Sequence, residues 1–155
     1  ALWDIGPYAI HTLRQCFKEN PKRVKAIAKL NEYGADISTT GLIDFGNFNR
    51  ATFGISFECT RRSEFEAFGP LGRVKCPAVW QPEDKQANII INTESSGLTE
   101  EVVPAANHFV LEINHFNKVI SSDIFPKLSN EDAFWNAKTL ESIQQSVMED
   151  DWVNL

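Results

Sequence analysis

Apolar residues recur at three- and four-residue steps near the start of the chain, at Leu2, Ile5, Ala9, Leu13 and Cys16. That spacing predicts an amphipathic helix from about residue 3 to 18. Pro7 fits best in a first helical turn, where its missing N–H costs nothing, so the helix is expected to start near Gly6 with Asp4 close to its N-terminus. Glu19-Asn20-Pro21 should end it. The period then changes to two. Val24, Ala26, Ala28 and Leu30 alternate with polar positions, a second strand runs through Gly41–Phe45, and Ala51, Phe53, Ile55, Phe57 and Cys59 alternate in a third. Gly46-Asn47-Phe48-Asn49 reads as the hairpin turn between the last two. Shorter strands are expected over 62–68, 72–79, 87–93 and near 98–102, with Gly69-Pro70 and Gly72 as turn residues.

Pro104 should open another helix, with Phe109, Ile113, Phe116 and Ile120 on one stripe. Ser129-Asn130-Glu131-Asp132 has the S-x-x-D form of a capping box, before a final helix striped by Ala133, Ala137, Leu140, Ile143 and Val147. One helix, about six strands and two helices in sequence predict an α+β fold: an open, mostly antiparallel sheet with helices on one face. Phe45, Phe48, Phe53, Phe57, Phe65, Phe68 and Trp80 are too many to sit behind three helices, so the other face is expected to be apolar and to mediate self-association.

Composition narrows the classes of function. A chain of 155 residues with no linker or repeat is expected to be a single domain over 1–155. Its net charge of -6 and lack of a basic stripe argue against nucleic acid. No apolar run approaches the roughly 20 residues a membrane span needs. Cys16, Cys59 and Cys76 are an odd number at wide spacings, which predicts free thiols and a cytoplasmic setting. The only methionine is Met148, and the first residues read as a helix with no lead-in, so a piece of a longer protein is expected.

Few residue patterns carry chemistry. His108, Glu112 and His115 share a helix face, but they lack the H-E-x-x-H order and a further ligand, so no metal site is expected. There is no G-x-S-x-G elbow, no G-x-G-x-x-G and no phosphate loop, so no cofactor-binding residue is expected in this chain. Asp4 and Tyr8 stand four apart at the start of the first helix and therefore share a face. A carboxylate there meets the orphan N–H groups of the helix start. A phenol, with an ordinary pKa of about 10, delivers a proton when a nearby cation favours its ionised form.

Ala1-Leu2-Trp3-Asp4-Ile5-Gly6-Pro7-Tyr8-Ala9-Ile10-His11 resembles the signature that opens the C-terminal domain of the Gfo/Idh/MocA oxidoreductases. Gly69-Pro70-Leu71-Gly72-Arg73-Val74 is similar to the family's G-x-x-G turn, Asn107–Ile120 to its penultimate helix, and Ala137–Val153 to its closing helix and W-V tail. The resemblance implies a parent with an N-terminal Rossmann domain, absent from this chain, that binds most of the NADP or NAD. It implies hydride transfer between nicotinamide and a sugar, polyol or related diol or carbonyl substrate, with Tyr8 and Asp4 catalytic and His11 and Arg14 near substrate. Tyr8, where many members carry His, points to the glucose–fructose oxidoreductase and dihydrodiol dehydrogenase branch. The isolated fragment would be inactive, and a homodimer or tetramer would form through the open sheet face. The alternative is a non-catalytic, ligand-sensing relative of the same fold.

Overall fold

The computed structural model describes residues 1–80, 85–121 and 124–155. Its elements run α1 (Leu2–Phe17), β1 (Arg23–Leu30), β2 (Asp36–Gly46), β3 (Asn49–Ser56), β4 (Phe65–Gly69), β5 (Gly72–Cys76), β6 (Ala87–Thr93), β7 (Gly97–Val103), α2 (His108–Ser121), α3 (Asn130–Glu149) and β8 (Val153–Asn154). The class is α+β with open antiparallel sheets, as the patterning predicts. The described strands number eight rather than about six, and they form two four-stranded sheets, ordered β3-β2-β1-β8 and β4-β5-β6-β7. The chain divides into two compact units, Ala1–Cys59 with Leu128–Leu155, and Thr60–Lys127.

The first unit holds the core. Ile10, Val24, Ile43, Phe45 and Ile143 are wholly buried, and Leu2, Phe53, Ile55 and Leu140 nearly so. α1 and α3 lie on one face of the sheet, where the alternation of β1, β2 and β3 places Val24 and Ala26, Ile43 and Phe45, and Ala51, Phe53 and Ile55. The Phe17 and Phe45 rings meet at 4.4 Å. Two glycines ease this packing. A Cβ on Gly6 would come within 3.2 Å of the Leu140 side chain and 3.3 Å of that of Ile55, so the ends of these side chains would have to give by a few tenths of an ångström. A Cβ on Gly41 would sit 2.6 Å from the Phe53 ring, which lies across the strand from it in register.

Three expectations are corrected in this unit. α1 begins at Leu2, not near Gly6, so Pro7 lies inside the helix. Its missing N–H deprives the Trp3 carbonyl of a helical donor. A cap from β2 secures the early start: the Asp36 carboxylate accepts the Leu2 N–H at 2.6 Å. Next, Phe45 and Phe53 face the helices, not an open side. The opposite face of β1–β3 carries Lys25, Ile27, Lys29, Thr40 and Thr52, so it is mainly polar with Ile27 exposed. Finally, α3 turns a different face inward. Ser129 caps it as expected, accepting the Asp132 N–H, but Ala133 and Ala137 are exposed while Thr139, Ser142 and Ser146 are buried. The hydroxyls of Thr139 and Ser146 are satisfied locally. Ser146 Oγ accepts the Ala26 N–H at 3.0 Å and donates to the Asp151 carbonyl at 2.6 Å, and Thr139 donates to the Trp135 carbonyl. The short β8, which the periodicity does not predict, pairs Val153 with Val24.

The second unit is an antiparallel meander with β4 and β5 joined at Gly69 and Gly72, followed by α2. α2 begins at His108, four residues after Pro104, and its stripe of Phe109, Ile113, Phe116 and Ile120 is exposed. Among the described residues of this unit none is fully buried.

Candidate functional site

On α1 the buried line is Leu2, Gly6, Ile10 and Arg14. At about 100° per residue, Asp4, Tyr8, His11 and Gln15 then recur at steps of four, three and four on the opposite, outer face. Packing therefore selects this face: the helix cannot bury its apolar side without turning these groups outward. Asp4 is exposed and Tyr8 is 56% exposed. Among the described residues, neither side chain meets a hydrogen-bond or ionic partner, so both are available to another molecule. The backbone beneath them is pinned, with the Thr12 hydroxyl donating to the Tyr8 carbonyl at 2.9 Å and the Asn136 amide to the Pro7 carbonyl at 3.2 Å.

The start of α1 is held by Asp36. Its carboxylate takes the Leu2 N–H at 2.6 Å and the Thr39 hydroxyl at 2.9 Å. Partial burial works to raise the Asp36 pKa, but the hydrogen bonds from Leu2 and Thr39 help hold it below the ordinary 3.8.

His11 and Arg14 both turn to Asp132 at the start of α3. His11 Nδ1 lies 3.2 Å from Asp132 Oδ2. Arg14 donates to Asp132 Oδ1 at 3.0 Å, to its carbonyl at 2.9 Å and to Asn20 at 3.1 Å, and its side chain is only 6% exposed. The enclosed Arg14 guanidinium fastens α1 to α3. His11 remains partly exposed beside Tyr8. Asp36 and Asp132 escape a reading of the sequence. Asp36 looks like a turn residue, and the capping box marks Asp132 only as a helix start.

The other candidates do not converge. The His108 ring lies against Phe109 at 4.1 Å, and His115 Nε2 accepts the Lys127 N–H at 3.3 Å. Among the described residues no cluster of three His, Cys, Asp or Glu side chains forms, and no helix is long and apolar enough to cross a membrane. Both sheets pair antiparallel, and among the described residues no strand–glycine loop–helix unit lies between parallel strands.

Fold and site together define an α+β domain whose first helix presents a carboxylate and a phenol to the outside. Residues 1–75 match the family model of the GFO/IDH/MocA C-terminal domain. The chain is 27% identical to an uncharacterised oxidoreductase of Rhizobium meliloti, over 98% of this chain and 47% of that protein. Its fold matches aldose-aldose oxidoreductase from Caulobacter crescentus, with a TM-score of 0.83 and 19% identity over 100% of this chain and 47% of that one. It also matches KijD10, a 3-ketoreductase from Actinomadura kijaniata solved in complex with NADP, with a TM-score of 0.84 and 21% identity over 94% of this chain and 47% of that one. The first 75 residues are thus similar to the Gfo/Idh/MocA C-terminal domain, and the fold of the chain matches the two solved oxidoreductases. The chain spans about half the length of the relatives it matches.

Proposed function

We propose that this chain is the substrate-facing half of an NAD(P)-dependent oxidoreductase acting on a sugar, polyol or related diol or carbonyl compound. The observation that carries the reading is the pair Asp4 and Tyr8, unpartnered on the outer face of a helix whose inner face is locked into the core. Nicotinamide, bound chiefly by an N-terminal Rossmann domain outside this chain, supplies or accepts the hydride. Tyr8 hands a proton to the substrate oxygen when a carbonyl is reduced and receives it when a hydroxyl is oxidised. Asp4 accepts a hydrogen bond from a substrate hydroxyl and orients it toward the phenol. His11, one turn beyond Tyr8, contacts the same substrate. The NADP bound by KijD10 supports a nicotinamide cofactor of this kind, and solved forms of that ketoreductase include substitutions of a lysine and of a tyrosine.

The isolated fragment would be inactive because it lacks the cofactor site. Homodimer or tetramer formation through an open sheet face belongs to the same reading, supported in the second unit by exposed Leu98 and Val102 on one face of β7. So does a cytoplasmic location, supported by three free cysteines. The test is reductase and dehydrogenase activity of the full-length parent and its Tyr8→Phe variant. Loss of general-acid catalysis should lower kcat by about 10²–10⁴-fold with the thermal midpoint unchanged. A fully active variant removes Tyr8 from the mechanism.

A further inference from the structure

The capping box at Ser129 is only half made. Ser129 Oγ accepts the Asp132 N–H at 3.2 Å, but the Asp132 carboxylate does not return to the Ser129 N–H as a reciprocal box requires. It turns instead toward α1, where three side chains converge on it. Oδ1 accepts from Arg14 at 3.0 Å and from Gln15 Nε2 at 3.0 Å, and Oδ2 lies 3.2 Å from His11 Nδ1. Arg14, enclosed and hydrogen-bonded also to Asn20, prevents the carboxylate from rotating away. A bare Nδ1 lone pair would face and repel that carboxylate oxygen, so the neutral His11 imidazole carries its proton on Nδ1 and leaves Nε2 bare. Among the described residues Nε2 has no partner, and the His11 side chain is 31% exposed on the face that carries Tyr8 and Asp4.

We propose that Asp132 is a positioning residue that fixes His11 as a hydrogen-bond acceptor beside Tyr8, so that Nε2 receives a hydroxyl of a polyhydroxylated substrate. This rests on the oxidoreductase reading for the identity of the substrate, while the orientation of the imidazole stands independently of it. Asp132→Asn separates the two. Arg14 and Gln15 both demand an oxygen at the Oδ1 position, so the amide nitrogen of the variant faces His11 as a donor. The ring must then expose a bare Nδ1 and carry its proton on Nε2, as happens when the aspartate of a serine-protease triad becomes asparagine.

The experiment uses the full-length protein with ¹⁵N-labelled histidine. In the wild type at pH 8 the His11 ring should show a protonated Nδ1 and an unprotonated Nε2, and Asp132→Asn should exchange the two signals. In steady-state kinetics with a polyol or sugar substrate, His11→Phe should raise KM about tenfold, the loss of one hydrogen bond, with a smaller change in kcat. Should Asp132→Asn fail to fold, the wild-type tautomer and the His11→Phe kinetics decide. An Nε2-protonated wild type, a tautomer untouched by Asp132→Asn in a folded variant, or an unchanged KM in His11→Phe overturns the proposal. Failure of the oxidoreductase reading would show separately, as a full-length wild type without reductase or dehydrogenase activity but with the tautomer pattern intact.

Discussion

Asp36 caps a helix that begins thirty-four residues before it, with its carboxylate on the Leu2 N–H. That hydrogen bond and the Thr39 hydroxyl help hold its pKa below 3.8, against the opposing effect of partial burial. A carboxylate depressed on folding contributes its full stability above the unfolded pKa of about 3.9 and loses it as pH falls through the lower folded value. The midpoint of thermal unfolding should therefore drop on acidification below about pH 4, and Asp36→Asn should flatten that part of the profile. At neutral pH the variant should cost about 1 kcal/mol, the usual worth of a helix cap. An unaltered acid limb in Asp36→Asn would mean that other carboxylates set it. Residue roles of this kind were half legible. Asp4 and Tyr8 follow from helical spacing, because positions four apart share a face wherever the helix packs. Asp36 and Asp132 have partners 34 and 118 residues away, and no local pattern announces a contact across that distance.

The β2–β3 hairpin shows the same division among elements. The alternation of β3 and the turn at Asn47 are plain in the sequence, but the two central residues both take the left-handed region, Asn47 at φ 51° and Phe48 at φ 64°. Asparagine tolerates this; a bulky residue at the second position is strained. The Phe48 ring is 89% exposed and has the Arg50 guanidinium 5.7 Å from its centroid as a weak cation–π contact. Phe48→Gly should therefore stabilise the chain by about 1 kcal/mol, seen as a higher thermal midpoint. A lower midpoint would show that the ring contact outweighs the strain. In α3, periodicity located the helix and its cap but misplaced the inner face. Ser142, Ser146 and Thr139 are small enough to pack closely against β1, and hydropathy alone counts them as outward-facing. In α1, Pro7 argued for a late start because the cap that permits an early one comes from another strand.

Burial is unevenly shared across the molecule. Every fully buried side chain among the described residues belongs to the unit formed by Ala1–Cys59 and Leu128–Leu155, whereas β7 is exposed along its length and α2 everywhere but the half-buried His115 and Val119. Local opening is cheapest where few apolar contacts are lost. Backbone amides of β1, β2 and the Leu140–Ser146 part of α3 should exchange with deuterium at least about a hundredfold more slowly than those of β6 and β7, a gap of roughly 3 kcal/mol. Equal protection in both units would show that the second has a core of its own in solution.

The sequence by itself determined most of the stretches that become helix or strand, the antiparallel α+β class, and the common face of Asp4 and Tyr8. Each depends on hydrophobic period, turn residues or helical spacing, which act within a few residues. Tertiary structure alone decided that the strands split into two sheets, that Phe45 and Phe53 point to the helices, and that Arg14 locks α1 to α3. It also brought Asp36 and Asp132 to the helix that carries the candidate site. Those outcomes turn on which buried surface and which polar partner each element meets, and such meetings exist only once distant segments have packed.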